Sequence, residues 1–263
     1  RKRVSALTDE QKRLLAQRVS QRRPPVATSI PRRAADVSPL PLSYAQQRFW
    51  FLTQVSGANT AYNVAEYHRL RGAVDVVALE RSLNEIARRH SSLRTTFAVS
   101  DGVPVQQISP SLQVPLPIED LSSVPGDQRE QRLREALNRE MRKPWSLTEG
   151  PLFRAQLWRL DDETYQLLVL MHHIVSDGWS QGVLVKELAA LYDAYRHGRP
   201  SPLPDPPIEY ADFAVWQREW MRSDEFTRQL GYWKEMLQDV PVLQLPQTRG
   251  LDATSQGVHQ WFF

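Results

Sequence analysis

With 263 residues, 41% of them hydrophobic, the chain can bury one substantial core, or a core plus an appendage. It has no cysteine, which excludes disulfides and thiolate zinc sites. No apolar run approaches the ~20 residues of a membrane span, and the basic N-terminus lacks the apolar centre of a secretory signal. A soluble cytoplasmic protein with no membrane partner is therefore expected.

The net charge of +3 is unevenly spread. Residues 1–33 hold ten Lys/Arg against two Asp/Glu, leaving 23 basic and 28 acidic side chains in the other 230 residues. A mildly acidic body argues against a nucleic-acid partner, which needs a basic face. Only the tail is suited to an acidic one.

In chain order, residues 5–22 read as a short helix. Thr8 is its N-cap, Asp9 and Glu10 suit its first turn, and Leu7, Leu14, Leu15 and Val19 make a narrow apolar stripe. Pro24-Pro25 ends it, and residues 23–41 hold five prolines and read as a linker. Residues 1–37 are thus set apart as a basic helix and Pro/Arg-rich linker, either an inter-domain connector or a docking segment for an upstream protein. Ser43 opens the next helix with Gln46 placed for a capping box, and Phe49, Trp50 and Leu52 are assigned to the core.

A strand is predicted over 62–70. Asp75 caps a helix over 76–89, whose apolar face is Val76, Leu79, Leu83, Ile86 and Ala87. Residues 93–99 and 103–108 flank Asp101-Gly102, a hairpin signal. A charged amphipathic helix over 128–142 ends at Pro144-Trp145. Residues 153–160 alternate as an antiparallel strand, turn at Asp161-Asp162, and return as a buried strand over 165–170. A helix is predicted over 183–195, then a surface crossing over 198–207 with five prolines. Helices at 210–221 and 224–238 follow, with Trp216, Trp220 and Trp233 as packing residues. Strands alternating with helices, without a Rossmann glycine pattern or phosphate loop, indicate an α/β fold: a mixed sheet flanked by helices.

The densest chemistry is Met171-His172-His173-Ile174-Val175-Ser176-Asp177-Gly178-Trp179-Ser180. Neighbouring side chains on an extended segment face opposite ways, so one histidine packs inward and the other faces a cleft. Gly178 is expected to take dihedrals a larger residue would resist, turning Asp177 back toward the strand end. The spacing does not put two histidines on one helix face, so no metal site is expected. Ser176 and Ser180 lack a nucleophile-elbow context.

His172 to Gly178, a His-His-x-x-x-Asp-Gly pattern, resembles the signature of condensation domains of nonribosomal peptide synthetases. Three other stretches resemble motifs of that family in the same order. They are Ser43-Tyr44-Ala45-Gln46-Gln47-Arg48-Phe49-Trp50-Phe51-Leu52, Arg89-His90-Ser91-Ser92-Leu93-Arg94-Thr95-Thr96-Phe97 and Tyr210-Ala211-Asp212-Phe213-Ala214-Val215-Trp216-Gln217. The resemblance covers roughly residues 38–245.

It implies two chloramphenicol-acetyltransferase-like lobes with a tunnel between them, of which residues 38–263 would be the N-terminal lobe. The C-terminal lobe is absent, and residues 252–263 would begin the crossing toward it. The implied reaction is amide formation: the amine of an acceptor aminoacyl thioester attacks the thioester carbonyl of a donor. No cofactor is bound directly. Both substrates ride on 4′-phosphopantetheine of upstream donor and downstream acceptor peptidyl carrier domains, with an adenylation domain adjacent.

On this resemblance His173 is the catalytic histidine and His172 a structural one. Asp177 holds the loop, pairing in the family with an arginine of the missing lobe. Gly178 lies beside the reacting thioester, and Arg89 and Arg94 support the site as scaffold. Residues 43–52 resemble domains that take an L-configured donor, and the isolated lobe is expected to be inactive. Two alternatives stay open: a non-catalytic lobe that docks carrier proteins, and an acyltransferase of the same superfamily using acyl-CoA.

Overall fold

The computed structural model describes residues 29–56, 60–241 and 243. The expected helix over 5–22 and the crossing over 252–263 lie outside the described residues. By contacts the chain divides into two units, residues 1–219 and 220–263.

In the first unit, β1 (Leu40–Pro41) leads into α1 (Tyr44–Ser56). The expected capping box is present: the Ser43 amide donates to Gln46 Oε1 at 2.9 Å, and the Gln46 amide donates to Ser43 Oγ at 3.1 Å. A short 3-10 turn (Thr60–Tyr62) precedes β2 (Asn63–Arg71). Next is α2 (Val76–Arg89), where Asp75 accepts the Ala78 amide at 2.9 Å and so satisfies an otherwise orphaned donor.

Residues 91–94 form a second 3-10 turn, so Leu93 is not in a strand as expected. The hairpin of β3 (Thr95–Ser100) and β4 (Val103–Ile108) closes through Asp101 and Gly102, both at positive φ, as a turn matched to strand twist requires. The next elements are β5 (Ile118–Asp120), α3 (Gly126–Met141), β6 (Phe153–Arg159) and β7 (Thr164–His172). Then come α4 (Gly178–Arg196), which packs on α2, and α5 (Tyr210–Trp220).

Among the described residues there are two sheets. One has the order β1-β4-β3. The other, β2-β7-β6-β5, is mixed: β5 runs parallel to β6 and the remaining pairs are antiparallel. This is the expected mixed sheet flanked by helices. β7 is central and carries an unbroken buried run from Gln166 to His172, so it reads apolar rather than alternating. Its neighbours in the core are Leu83 and Ile86 of α2, Leu184 and Leu191 of α4, and Phe153, Leu157 and Trp158 of β6.

Two arginines of the linker region bind this unit. Arg32 donates to the carbonyls of Pro207 (2.7 Å) and Pro206 (3.1 Å), and Arg33 pairs with buried Asp212 at 2.6 Å. In the second unit, α6 (Asp224–Met236) is capped by Ser223, which accepts the Phe226 amide. Trp220 packs edge-on against Phe226. Trp233, expected in packing, is instead 57% exposed, and its ring lies edge-on to that of Tyr232.

Candidate active site

The site is built at the end of β7, where both neighbouring strands also end. The register Asn63↔His172 with β2 and Phe153↔Met171 with β6 is continued by two further bonds. The His172 amide donates to the Leu152 carbonyl (3.1 Å) and the His173 amide to the Tyr62 carbonyl (2.9 Å). The two imidazoles therefore leave opposite faces of a strand that is held on both edges.

His172 turns inward and is 1% exposed. Its Nδ1 accepts the Ile174 amide at 3.1 Å, and its carbonyl accepts from the Val175 amide and Ser176 Oγ. Burial, with a smaller contribution from neighbouring His173, pushes its pKa down to about 4. At neutral pH the ring is uncharged and folds the chain tightly back after the strand.

His173 faces a cleft of about 290 Å³ lined by Gln46, Phe49, Ser92, Ser176, Ser180 and Tyr210 among others. Its ring stacks on Phe49 at 4.9 Å with 23° between planes, and Phe49 is braced edge-on by Tyr62 at 5.1 Å. Its Nδ1 is buried with no hydrogen-bond partner among the described residues. Aromatic packing, rather than a carboxylate, sets the ring plane. An imidazole in such a cleft is within the repertoire of groups that exchange a proton with a bound nucleophile. Among the described residues no three His, Cys, Asp or Glu side chains gather as metal ligands.

Asp177 caps α4. Its Oδ1 accepts the Ser180 amide (2.8 Å) and the Ser180 hydroxyl (2.7 Å), while the Asp177 amide donates to Ser180 Oγ (3.2 Å). The Ser180 hydrogen bonds hold its carboxyl below the usual range, so it is ionised and acts as a structural acceptor. The helix consequently starts at Gly178, five residues before the expected position.

Gly178 takes ordinary helical dihedrals, not the unusual ones expected of it. A Cβ built there meets nothing within 4 Å, so the missing side chain leaves open space. The adjoining Trp179 stands 84% exposed.

The two motif arginines lie outside the cleft lining. Arg89, 4% exposed, forms a bidentate pair with Glu187 of α4 (3.1 and 3.2 Å) and donates to the carbonyls of Leu203 and Pro204. Burial alone would raise the Glu187 carboxyl, but hydrogen bonds from Arg89 and His90 outweigh it and hold it below its ordinary value. Arg94 donates to the carbonyls of Ala87, Arg88 and Ser109, tying off the end of α2. Both arginines tie α2 to its neighbours, and no residue of α2 is among those lining the cleft.

Sequence reasoning gave no site role to several lining residues, Phe49 and Tyr210 among them. Phe49, assigned to the core, is the platform under His173. Tyr210, noted only within a motif, borders the cleft with its hydroxyl 2.9 Å from Ser43 Oγ. Ring contacts across 124 residues leave no periodic signal in a sequence.

The model of the Condensation domain family matches residues 38–259. Chondramide synthase cmdD of Chondromyces crocatus is 46% identical over 221 residues, covering 84% of this chain and 6% of that protein. Phosphinothricin tripeptide synthetase PhsC of Streptomyces viridochromogenes is 38% identical over 264 residues, covering 99% of this chain and 24% of that protein. The chain thus spans only a small part of these relatives.

Among solved structures, the X-domain from teicoplanin biosynthesis superposes with a TM-score of 0.71 at 26% identity, covering 83% of this chain and 48% of that one. The starter condensation domain of rhizomide synthetase RzmA, at 23% identity and a TM-score of 0.68, shares the fold over 75% of this chain and 47% of its own. The histidine pair at the end of β7, the four ordered motifs and these likenesses converge: the chain belongs to the condensation-domain family of nonribosomal peptide synthetases.

Proposed function

We propose that residues 38–263 form the N-terminal lobe of a peptide-bond-forming condensation domain and contribute His173 as its general base. The donor is an acyl or peptidyl thioester, of L configuration at its reacting residue, and the nucleophile is the amine of an aminoacyl thioester. Each is presented on the 4′-phosphopantetheine arm of a carrier domain, one upstream and one downstream, with an adenylation domain adjacent. No cofactor is held by the lobe itself, and the whole acts in the cytoplasm.

The observation that carries this reading is the His173 ring, stacked on Phe49 in an open cleft with its Nδ1 unengaged. A thioester is already activated, so the site has two tasks. Alignment of two tethered reactants removes several kcal/mol of barrier, and a base that accepts the amine proton adds roughly 10²–10⁴-fold. His172, neutral and buried, holds the turn. Asp177, engaged by Ser180, anchors α4 and leaves the proton to His173. Gly178 keeps space beside the reacting carbonyl.

The test is a single-turnover assay, read by intact-protein mass spectrometry, with donor- and acceptor-loaded carrier proteins. The two-lobed parent should form product and its His173→Ala variant should be slower by about 10²-fold or more. This lobe alone should form almost none. Equal rates for parent and variant would make His173 structural. A parent that binds loaded carriers without transfer would be a docking platform, and turnover of free acyl-CoA without a carrier would mark a different acyltransferase.

A further inference from the structure

Attack of an amine on a thioester leaves negative charge on the former carbonyl oxygen, and one preorganised donor at that oxygen is worth roughly 10²–10³ in rate. The question, which rests on the acyl-transfer reading above, is which donor in the His173 cleft is still available. Gln46 is held in place and 1% exposed: its Oε1 accepts the Ser43 amide and one of its two Nε2 hydrogens goes to Gln106, so its amide is fixed by buried partners rather than aimed at a ligand. The Ser176 hydroxyl donates to the His172 carbonyl, and the Ser180 hydroxyl to Asp177. Asp177, ionised, can only accept. Two hydroxyls of the lining remain, Ser92 and Tyr210. Ser92 has no partner to aim it among the described residues.

Tyr210 has one, and the direction of that bond can be worked out. Ser43 is 0% exposed, so its hydroxyl proton needs an acceptor inside the protein. Its oxygen already accepts the Gln46 amide at 3.1 Å, and an amide N–H cannot accept in return. The other contact of that hydroxyl is Tyr210 Oη at 2.9 Å. Ser43 is therefore the donor and Tyr210 the acceptor. The tyrosine proton is left over, on a hydroxyl whose ring borders the cleft. Burial, which outweighs the Ser43 hydrogen bond, raises the phenol pKa and keeps that proton in place at neutral pH.

We infer that the Tyr210 hydroxyl, oriented by Ser43, donates a hydrogen bond to the donor thioester carbonyl and holds the oxyanion formed on attack. The acceptor nitrogen bonds to the carbonyl carbon, and the carbonyl π pair moves onto the oxygen facing Tyr210. The nitrogen gives a proton to His173. Collapse restores the carbonyl, breaks the carbon–sulfur bond, and the departing thiolate takes the proton from His173. Tyr210 keeps its own proton throughout and is a catalytic residue by contact.

The test uses the two-lobed parent and loaded carriers. Tyr210→Phe should lower the single-turnover transfer rate by about 10²-fold, with little change in the acceptor-carrier concentration that gives half the maximal rate. Replacing Tyr210 with 3,5-difluorotyrosine keeps the ring and its packing but makes the hydroxyl far more acidic. Its transfer rate should fall with rising pH where the unmodified protein is flat, because an ionised phenol cannot donate. A Tyr210→Phe rate within about twofold of the parent's, a loss confined to half-saturation, or a fluorotyrosine pH profile overlying the parent's would each overturn the assignment. If the unmodified parent transfers nothing with matched substrates, it is the acyl-transfer reading that fails, and the role of Tyr210 falls with it.

Discussion

Replacing His172 by asparagine should remove most of the chain's loss of stability in mild acid that comes from this strand end. In the unfolded chain the imidazole titrates near its ordinary 6.5, whereas in the folded protein burial holds it at about 4. As pH falls from 7 to 5 the unfolded form takes up a proton that the folded form refuses. The unfolded state binds more protons in that window, so stability is fully present above about 6.5 and is lost progressively as pH falls toward 4. Integrating the two titrations gives about 2 kcal/mol lost between pH 7 and pH 5.

Asparagine offers its amide oxygen to the Ile174 N–H that His172 Nδ1 now accepts, and it does not titrate. The assay is urea unfolding of both proteins at pH 7 and pH 5. The parent's unfolding free energy should drop by about 2 kcal/mol more than the variant's. Identical pH dependence in the two would refute the reasoning, showing that His172 is charged, or solvated, in the folded protein.

Gly178→Ala separates folding from chemistry. Its dihedrals suit any residue and the added Cβ meets nothing. The melting temperature should therefore stay level or rise, with a gain of up to about 0.5 kcal/mol. If Gly178 borders the reacting thioester as proposed, single-turnover transfer by the two-lobed parent should nevertheless fall, because the methyl would occupy that open space. Arg89→Met leaves the part-buried Glu187 with His90 but without its bidentate partner, and removes the donor from two carbonyls. It should cost about 3 kcal/mol in chemical denaturation, with intact His173 geometry in whatever fraction folds.

What was legible in the sequence was local. The helix over 76–89 was readable to the residue because Asp75 sits beside a long apolar periodicity, and Asp101-Gly102 announced its hairpin. The start of α4 was hidden because its capping box closes with Ser180 rather than Glu or Gln, within a polar run that looks like loop. β1 and β5, of two and three residues, are too short to carry a period of two. The site was half visible. Alternation along the strand separated buried His172 from cleft-facing His173, and the choice of the second as catalytic rests on motif resemblance. The Phe49 platform, the Ser43–Tyr210 bond and the Arg89–Glu187 pair join residues 98 to 167 positions apart. Only the folded chain brings them together.

The place of β7 in its sheet has a dynamic consequence. It is bonded along both edges, to β2 and to β6, and the last of those bonds are made by the histidines themselves. Backbone amides so placed exchange with solvent deuterium only through large-scale opening, unlike those of a catalytic loop, which exchange through fluctuations of little cost. The His173 amide should therefore be among the slowest in the chain to exchange. On the proposed reading, His173 would keep its position through the motions by which substrates enter and leave, and adjustment to different acyl groups would fall to the side chains facing it.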